Sequence, residues 1–258
     1  MGTVSKALSL LTNFNQSRTE IGLSEIARLA GVNKATAYRL LTELQAGGFV
    51  EQTGADKSWR LGPEILRLAR VREAAVPMTT ASRAILDRLA AETHETAHVS
   101  VLRGTELNAL AHAYSTRHAT RVMMEDAERL SMHGTGSGLA VLAFSPDDFV
   151  ESVLALPLKK HTPDTVTDPA ALRALLAPIR DTGIAESVGG FEADVHSHAA
   201  PVFDTNGLPI GALAVAAPVA RVTPDRAAVI KHAVLTGAME LTRAIGGFVP
   251  DSFPQAAA

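Results

Sequence analysis

The 258-residue chain contains no cysteine. That excludes a disulfide framework, a thiolate nucleophile and any zinc site built on sulfur. Aromatic residues make up only 4% of it against 47% hydrophobic residues overall, so its cores must be largely aliphatic. No apolar run approaches the roughly 20 residues of a membrane helix, and no membrane partner is expected. The stretch Thr3-Val4-Ser5-Lys6-Ala7-Leu8-Ser9-Leu10-Leu11-Thr12 carries one cation, a broken apolar run and no cleavage pattern. The expected location is therefore the cytoplasm. The net charge of −3 is small but unevenly spread. Residues 1–75 hold ten Lys+Arg against seven Asp+Glu, a net of +3, and residues 76–258 hold fourteen against twenty, a net of −6. A basic end on an acidic body suits a chain of which one end meets a polyanion.

What is present is most specific between Ala27 and Arg39. The run Ala27-Arg28-Leu29-Ala30-Gly31-Val32-Asn33-Lys34-Ala35-Thr36-Ala37-Tyr38-Arg39 reads as a helix, a three-residue turn and a second helix opening at Asn33. Small Ala27 permits a close helix crossing, Gly31 supplies a left-handed turn, and Ala37 and Leu40 lock the second helix to the first. Leu40, Leu41 and Leu44 continue the buried stripe, and Gly47-Gly48 end it. Phe49–Thr53 and Lys57–Leu61 then predict two strands around a Gly-Ala-Asp turn, the wing of a winged helix-turn-helix. Upstream, Val4, Ala7/Leu8, Leu11 and Phe14 recur at helical spacing and predict a packing helix. Ser24 is the expected N-cap of the helix carrying Glu25 to Ala30.

On the second helix, the arc away from the leucines carries Asn33, Lys34, Ala35, Thr36, Tyr38 and Arg39. Amide, hydroxyl and cationic groups there suit hydrogen bonds to base edges and phosphates, and Lys57 and Arg60 on the wing suit backbone phosphates. Residues 62–76 then predict a linker helix with Pro63 in its first turn. Its residues Ile65, Leu66, Leu68, Ala69 and Val71 form an apolar stripe for a second copy of the chain to cover.

Pro77 interrupts that pattern, and residues 77–258 predict a second, α+β domain able to enclose a small molecule. A helix over Thr80–Thr93 turns Ala84, Ile85, Leu89 and Ala90 inward. Hairpins follow over Ala97–Leu102 with Leu107–Tyr114, and over Ala199–Phe203 with Leu208–Ala216 around Asp204-Thr205-Asn206-Gly207. Helices are expected over Ser137–Ala143, Pro146–Leu156, Pro169–Asp181 with Asp168 as cap, and Thr223–Ile245.

These motifs together resemble the IclR-type bacterial transcriptional regulators. Gly31-Val32-Asn33-Lys34-Ala35-Thr36-Ala37-Tyr38-Arg39-Leu40-Leu41 is similar to the family's recognition region, and Trp59-Arg60-Leu61-Gly62 to the close of its wing. His133-Gly134-Thr135-Gly136-Ser137-Gly138 resembles its His-Ala-(Ser/Thr)-x-x-Gly loop, and Ala199-Ala200-Pro201-Val202-Phe203-Asp204 its Ala-Ala-Pro-Val-Phe-Asp strand. The resemblance spans about the whole chain. It implies a GAF-like effector domain with an antiparallel sheet, a double-stranded operator as partner, and dimers or dimers of dimers. It also implies control, by repression as the default, through a small organic-acid or aromatic effector. The pocket is expected at Gly136, Ser137, Gly138, Asp194, Ser197, Ala214 and Ala216, with loop N–H groups holding an anionic head. Ala35 stands where the family usually has serine, Ser197 where it often has cysteine, and Ala214-Val215-Ala216 where it often has Ser-x-Ser.

Two other readings stand beside this one. His196-x-His198 projects two imidazoles to one strand face, a spacing that can ligate a metal, with His94, His98 and His112 on or near strands. No acidic or cysteine partner is evident for the pair, so no metal and no cofactor are assigned. An enzyme fused to a DNA-binding domain would need a nucleotide loop or a nucleophile. The Gly134-x-Gly136-x-Gly138 run follows no identifiable strand of a βαβ unit, and Ser137 lacks the flanking glycines of a nucleophile elbow.

Overall fold

In a computed structural model, residues 2–14, 18–54, 57–74, 78–125 and 127–254 are described. The chain forms two compact units, Met1–Val76 and Pro77–Ala258. No helix among the described residues is long and apolar enough to cross a membrane.

The first unit is built from α1 (Thr3–Leu11), α2 (Leu23–Leu29), α3 (Lys34–Ala46), β1 (Val50–Thr53), β2 (Ser58–Leu61) and α4 (Pro63–Ala74). Its core joins Leu10, Ile26, Ala37, Leu40, Leu41, Val50 and Trp59. Burying such side chains stabilises by roughly 1.5–3 kcal/mol each, and this interlocks α1, α2, α3 and the wing. Gly31 takes φ 65, the left-handed bend between α2 and α3. Asn33 caps α3, its side chain accepting from the Thr36 N–H at 2.8 Å. The two wing strands pair antiparallel with Glu51 opposite Arg60. Trp59 also exchanges two 2.9 Å backbone hydrogen bonds with Ile21, tying the wing to the segment before α2.

Three details differ from the sequence expectation. The N-cap of α2 is Gly22, not Ser24, because the helix starts at Leu23 and places Ser24 inside its first turn. On α1 the fully buried residue is Leu10, while Val4 and Leu8 are 72% and 55% exposed. Of the expected stripe, Ala7 and Leu11 on the helix and Phe14 just after it do pack on the core beside Leu10, and Val4 and Leu8 are the positions that do not. Of the wing turn, Ala55 and Asp56 lie outside the described residues, as do Val76 and Pro77.

The second unit comprises α5 (Met78–Thr93), β3 (Thr96–Arg103), β4 (Glu106–Ala113), β5 (Arg129–Leu130), α6 (Gly136–Phe144), α7 (Asp147–Leu154), α8 (Pro169–Thr182), β6 (Ala185–Val188), β7 (Val195–Phe203), β8 (Pro209–Pro218) and α9 (Pro224–Ala244). Among the described residues its strands form one six-stranded antiparallel sheet in the order β5-β4-β3-β8-β7-β6. Strand periodicity sends alternate residues to opposite faces. On one face Ala199, Ala212 and Ala214 pack with Leu139, Val141, Leu142, Leu172 and Leu176 of α6 and α8. On the other, α5 and α9 pack against the sheet and each other. Gly237 of α9 sits so close to Leu213 that an added Cβ would fall 2.9 Å from its side chain.

The helix ends follow their caps. Asp168 accepts from Ala171 N–H at 2.7 Å, and Thr223 caps α9 with Pro224 in its first turn. Helix α5 begins two residues earlier than expected. Its buried face is Ser82, Ile85, Leu86, Leu89 and Ala90, and Ala84 is exposed. The short edge strands β5 and β6 were not evident in the sequence, because two and four residues are too few for a readable alternation.

Candidate functional site

The groove-facing residues assigned to α3 form one outward surface. Asn33, Lys34, Ala35, Tyr38 and Arg39 are exposed and Thr36 is half-buried, while Ala37, Leu40 and Leu41 are buried beneath them. Among the described residues neither Lys34 nor Arg39 has an ion-pair partner. Among the described residues their charge is uncompensated. The wing differs. Arg60 holds Glu51 at 2.6 Å and lies 3.9 Å from Glu20, so a phosphate would have to compete with two carboxylates. Such exposed pairs contribute little and exchange readily. Lys57 sits at the wing turn with φ 53. Asn33 has spent its side-chain oxygen on the cap, leaving its amide N–H groups as donors.

In the second unit, a cavity of about 40 Å³ opens between the sheet, the first turn of α6 and two loops. Its inner wall carries His98 of β3, Ser137 of α6, Ser197 of β7 and Ala216 of β8. The outer wall is Val122, Met123, Met124, Leu130, Phe191 and Val195, with Glu128 and Glu192 beside them. Three loop contacts hold the outer wall. Thr96 Oγ1 donates to the Val122 carbonyl at 2.7 Å, and the Tyr114 hydroxyl bridges the Met124 carbonyl and N–H at 3.1 and 3.0 Å.

Ser137, Ser197 and Ala216 thus meet in one cavity. Gly136, Gly138, Asp194 and Ala214 lie outside its lining. Ala214 is packed in the core with α6 and α8, and Asp194 is exposed on the loop before β7. The glycine N–H groups are already engaged: Gly136 donates to Ser197 Oγ at 3.1 Å and Gly138 to Thr135 Oγ1 at 3.0 Å. The expectation that they are free to hold an anion is therefore corrected. Their role is close approach, since a Cβ on Gly138 would lie 2.4 Å from the Met132 backbone. Sequence reasoning missed Ser187, on the four-residue edge strand β6, and Phe191, Glu192, Glu128 and the 122–124 loop, which lie in irregular segments without periodicity.

The electrostatics of this cavity are unusual for an anion site. Among the described residues no lysine or arginine lines it. Burial pushes the Glu128 and Glu192 carboxyls above their ordinary range, and for Glu128 the nearby Glu192 adds to the effect. His98 Nε2 lies 3.3 Å from Ser137 Oγ, while its buried Nδ1 has no hydrogen-bond partner among the described residues. Burial, with His112 adding to it, pushes His98 down to about 4, so the imidazole is neutral at pH 7. A more open cleft of about 520 Å³ adjoins, sharing Leu130 and Phe191 and carrying Arg129, His133, Lys159 and His161.

Ser197 and the pair His196/His198 take opposite faces of β7, as alternation requires. The two imidazoles stack with centroids 4.2 Å apart. They face Glu186 of β6, the acidic partner the sequence did not reveal, because pairing of β6 with β7 sets Glu186 opposite His198.

A winged helix-turn-helix joined in one chain to a sheet domain with a cavity is the architecture of a DNA-binding regulator. Residues 3–54 match the IclR helix-turn-helix domain and residues 74–243 the C-terminal domain of bacterial IclR transcriptional regulators. The chain belongs to the IclR family, whose members are transcriptional regulators and not enzymes. It is 28% identical to the transcriptional repressor IclR of Escherichia coli K12, over 95% of this chain and 90% of the relative. The crystal structure of a putative IclR transcriptional regulator from Silicibacter sp. TM1040 is 58% identical with a TM-score of 0.84, covering 98% of this chain and 100% of that one. An IclR homologue from Microbacterium hydrocarbonoxydans, complexed with 4-hydroxybenzoate, is 29% identical with a TM-score of 0.78, covering 94% and 100%.

The buried imidazoles set a pH dependence. His98 and His198 are both pushed down to about 4 from the ordinary 6.5. Between those values the unfolded chain binds more protons than the native one, so stability falls as pH drops from about 6.5 towards 4. Denaturant titrations at pH 7.5 and pH 5 are expected to show this loss, and His98→Asn to show a smaller one. An identical loss in the variant would remove His98 from the account.

Proposed function

We propose that this regulator binds a palindromic operator through the outward face of α3, and that a small organic effector in the cavity of the second unit changes its occupancy. The observation that carries the first half is the uncompensated charge of Lys34 and Arg39 beside Asn33, Thr36 and Tyr38. Arg39 is placed to read a guanine edge or grip a phosphate, and Lys57 and Arg60 contact backbone phosphates from the wing. Control by repression is the default, in keeping with the relatives named as repressors, and such a protein acts in the cytoplasm where its DNA lies.

The effector in this reading is compact, with an aromatic or branched apolar body. Met123, Met124, Leu130, Phe191 and Ala216 supply an apolar wall, and Ser137, Ser197 and His98 supply a polar end. The 4-hydroxybenzoate bound by the Microbacterium relative has this shape. With Glu128 and Glu192 on the outer side, a carboxylate head is oriented toward the hydroxyls and imidazole and away from the two glutamates. Gly136, Gly138, Asp194 and Ala214 support the cavity from behind its lining. Ligand binding can alter DNA occupancy only through different affinities for two arrangements of the protein, and α4 is the element proposed to differ between them.

A dimer completes the proposal, pairing again into a tetramer in the larger assembly. Leu66 and Val71 of α4 are each 57% exposed, and Val4 and Leu8 of α1 add further apolar surface. A second copy covering α4 would bury it.

Three measurements test these assignments. Fluorescence anisotropy on an operator found by mapping genomic binding sites is expected to show weaker binding for Arg39→Ala and Lys34→Ala, by about 1–3 kcal/mol where a bidentate base contact is lost. Wild-type affinity in both would mean that another surface reads DNA. Calorimetry against aromatic and branched-chain acids is expected to show binding without turnover, and Ala216→Phe to lose the effector response while keeping operator affinity. Full response in that variant moves the effector elsewhere. Light scattering at micromolar concentration is expected to give at least a dimer, with Leu66→Glu shifting it towards monomer; a monomeric wild type would overturn the dimer.

A further inference from the structure

We propose that Glu186, His196 and His198 bind one divalent transition-metal ion of the zinc class, on the sheet face opposite the effector cavity. The three residues are brought together by pairing of β6 with β7, and their ligand atoms all lie within 4.8 Å of one another. His196 Nε2 and His198 Nε2 stand 3.2 and 3.1 Å from the same oxygen, Glu186 Oε2. Bonds of about 2.0–2.2 Å around a tetrahedral ion set neighbouring ligand atoms about 3.3 Å apart, close to these separations. The set of two imidazoles and a carboxylate suits zinc, iron(II), cobalt or nickel and disfavours magnesium or calcium.

His198 supplies the independent pointer. It is fully buried, and among the described residues neither of its ring nitrogens makes a hydrogen bond of regular geometry. Its 3.1 Å approach to Glu186 Oε2 does not meet hydrogen-bond geometry. A buried imidazole left without a partner is rare enough to require an explanation, and a metal provides one.

The surroundings fit as well. Lys231 of α9 donates to the other oxygen, Glu186 Oε1, at 2.6 Å, orienting the carboxylate while leaving Oε2 to the ion, as outer partners of metal ligands do. Three protein ligands leave a fourth position open. His196 and Glu186 are partly exposed, and a recess of about 200 Å³ lined by Glu186, Lys231, His232 and Leu235 gives access from solvent. All four groups lie in the second unit, and the site is independent of the effector assignment.

The test uses untagged full-length protein, stripped with a chelator, dialysed and titrated with Co²⁺ and then Zn²⁺. One cobalt per chain is expected, with the visible d–d bands of a low-coordinate nitrogen–oxygen site, bleached by one equivalent of zinc. His198→Ala is expected to lose the bands. His196→Gln, at a partly exposed position, is expected to keep the wild-type circular dichroism spectrum while weakening cobalt binding at least about tenfold. Absence of d–d bands and of stoichiometric zinc binding in the wild type would overturn the site. So would an unchanged cobalt spectrum in folded His196→Gln.

Discussion

The effector domain depends on the closeness with which the first turn of α6 lies against its neighbours. A single added carbon at residue 138 would fall 2.4 Å from the Met132 backbone, and one at residue 136 would fall 2.9 Å from Ser197 Oγ. Only a hydrogen atom fits at 138, and at 136 the Ser197 hydroxyl would have to give way. Because the turn sits this deep, Thr135 can cap the helix, Gly136 can bond Ser197 across to β7, and Ser137 reaches His98 on β3. One steric constraint thereby joins α6, β3 and β7 and shapes the inner wall of the cavity. A backbone pinned to this degree is a rigid surface for a ligand to meet, and the adaptable part is the wall of methionines and Phe191 opposite.

How much could be read in advance depended on what each residue reports. The winged helix was legible nearly throughout, because Gly31, the leucine stripe and the Gly47-Gly48 stop each signal their local geometry. The β7–β8 hairpin was legible for the same reason, through Asp204-Thr205-Asn206-Gly207. What escaped were features that exist only after long-range pairing. Glu186 becomes a neighbour of His198 when a four-residue edge strand joins the sheet, and nothing local announces it. Glu128, Phe191 and the 122–124 loop reach the cavity through irregular chain. The role of the loop glycines was also hidden, since a glycine that permits close packing and one that offers free N–H groups look alike in a sequence. Val4 and Leu8 illustrate the remaining weakness, for an apolar residue on a short helix does not say which side it faces.

The two ends of the molecule treat charge differently. On α3 the cations have no ion-pair partner among the described residues, while Arg60 on the wing is held by Glu51 and Glu20. An unpaired cation attracts phosphate from a distance, and a paired one yields its contact only when something better arrives. In the second unit the sign is reversed, with glutamates at the cavity and a neutral imidazole at its inner wall. Discrimination there rests on shape and hydrogen bonding more than on net charge.

Strand β7 carries one further consequence. Its odd residue Ser197 belongs to the cavity, and its even residues His196 and His198 belong to the α9 face. The two faces share a single backbone only one peptide unit thick. Any rotation of β7 about its own axis would therefore carry Ser197 and the two imidazoles together.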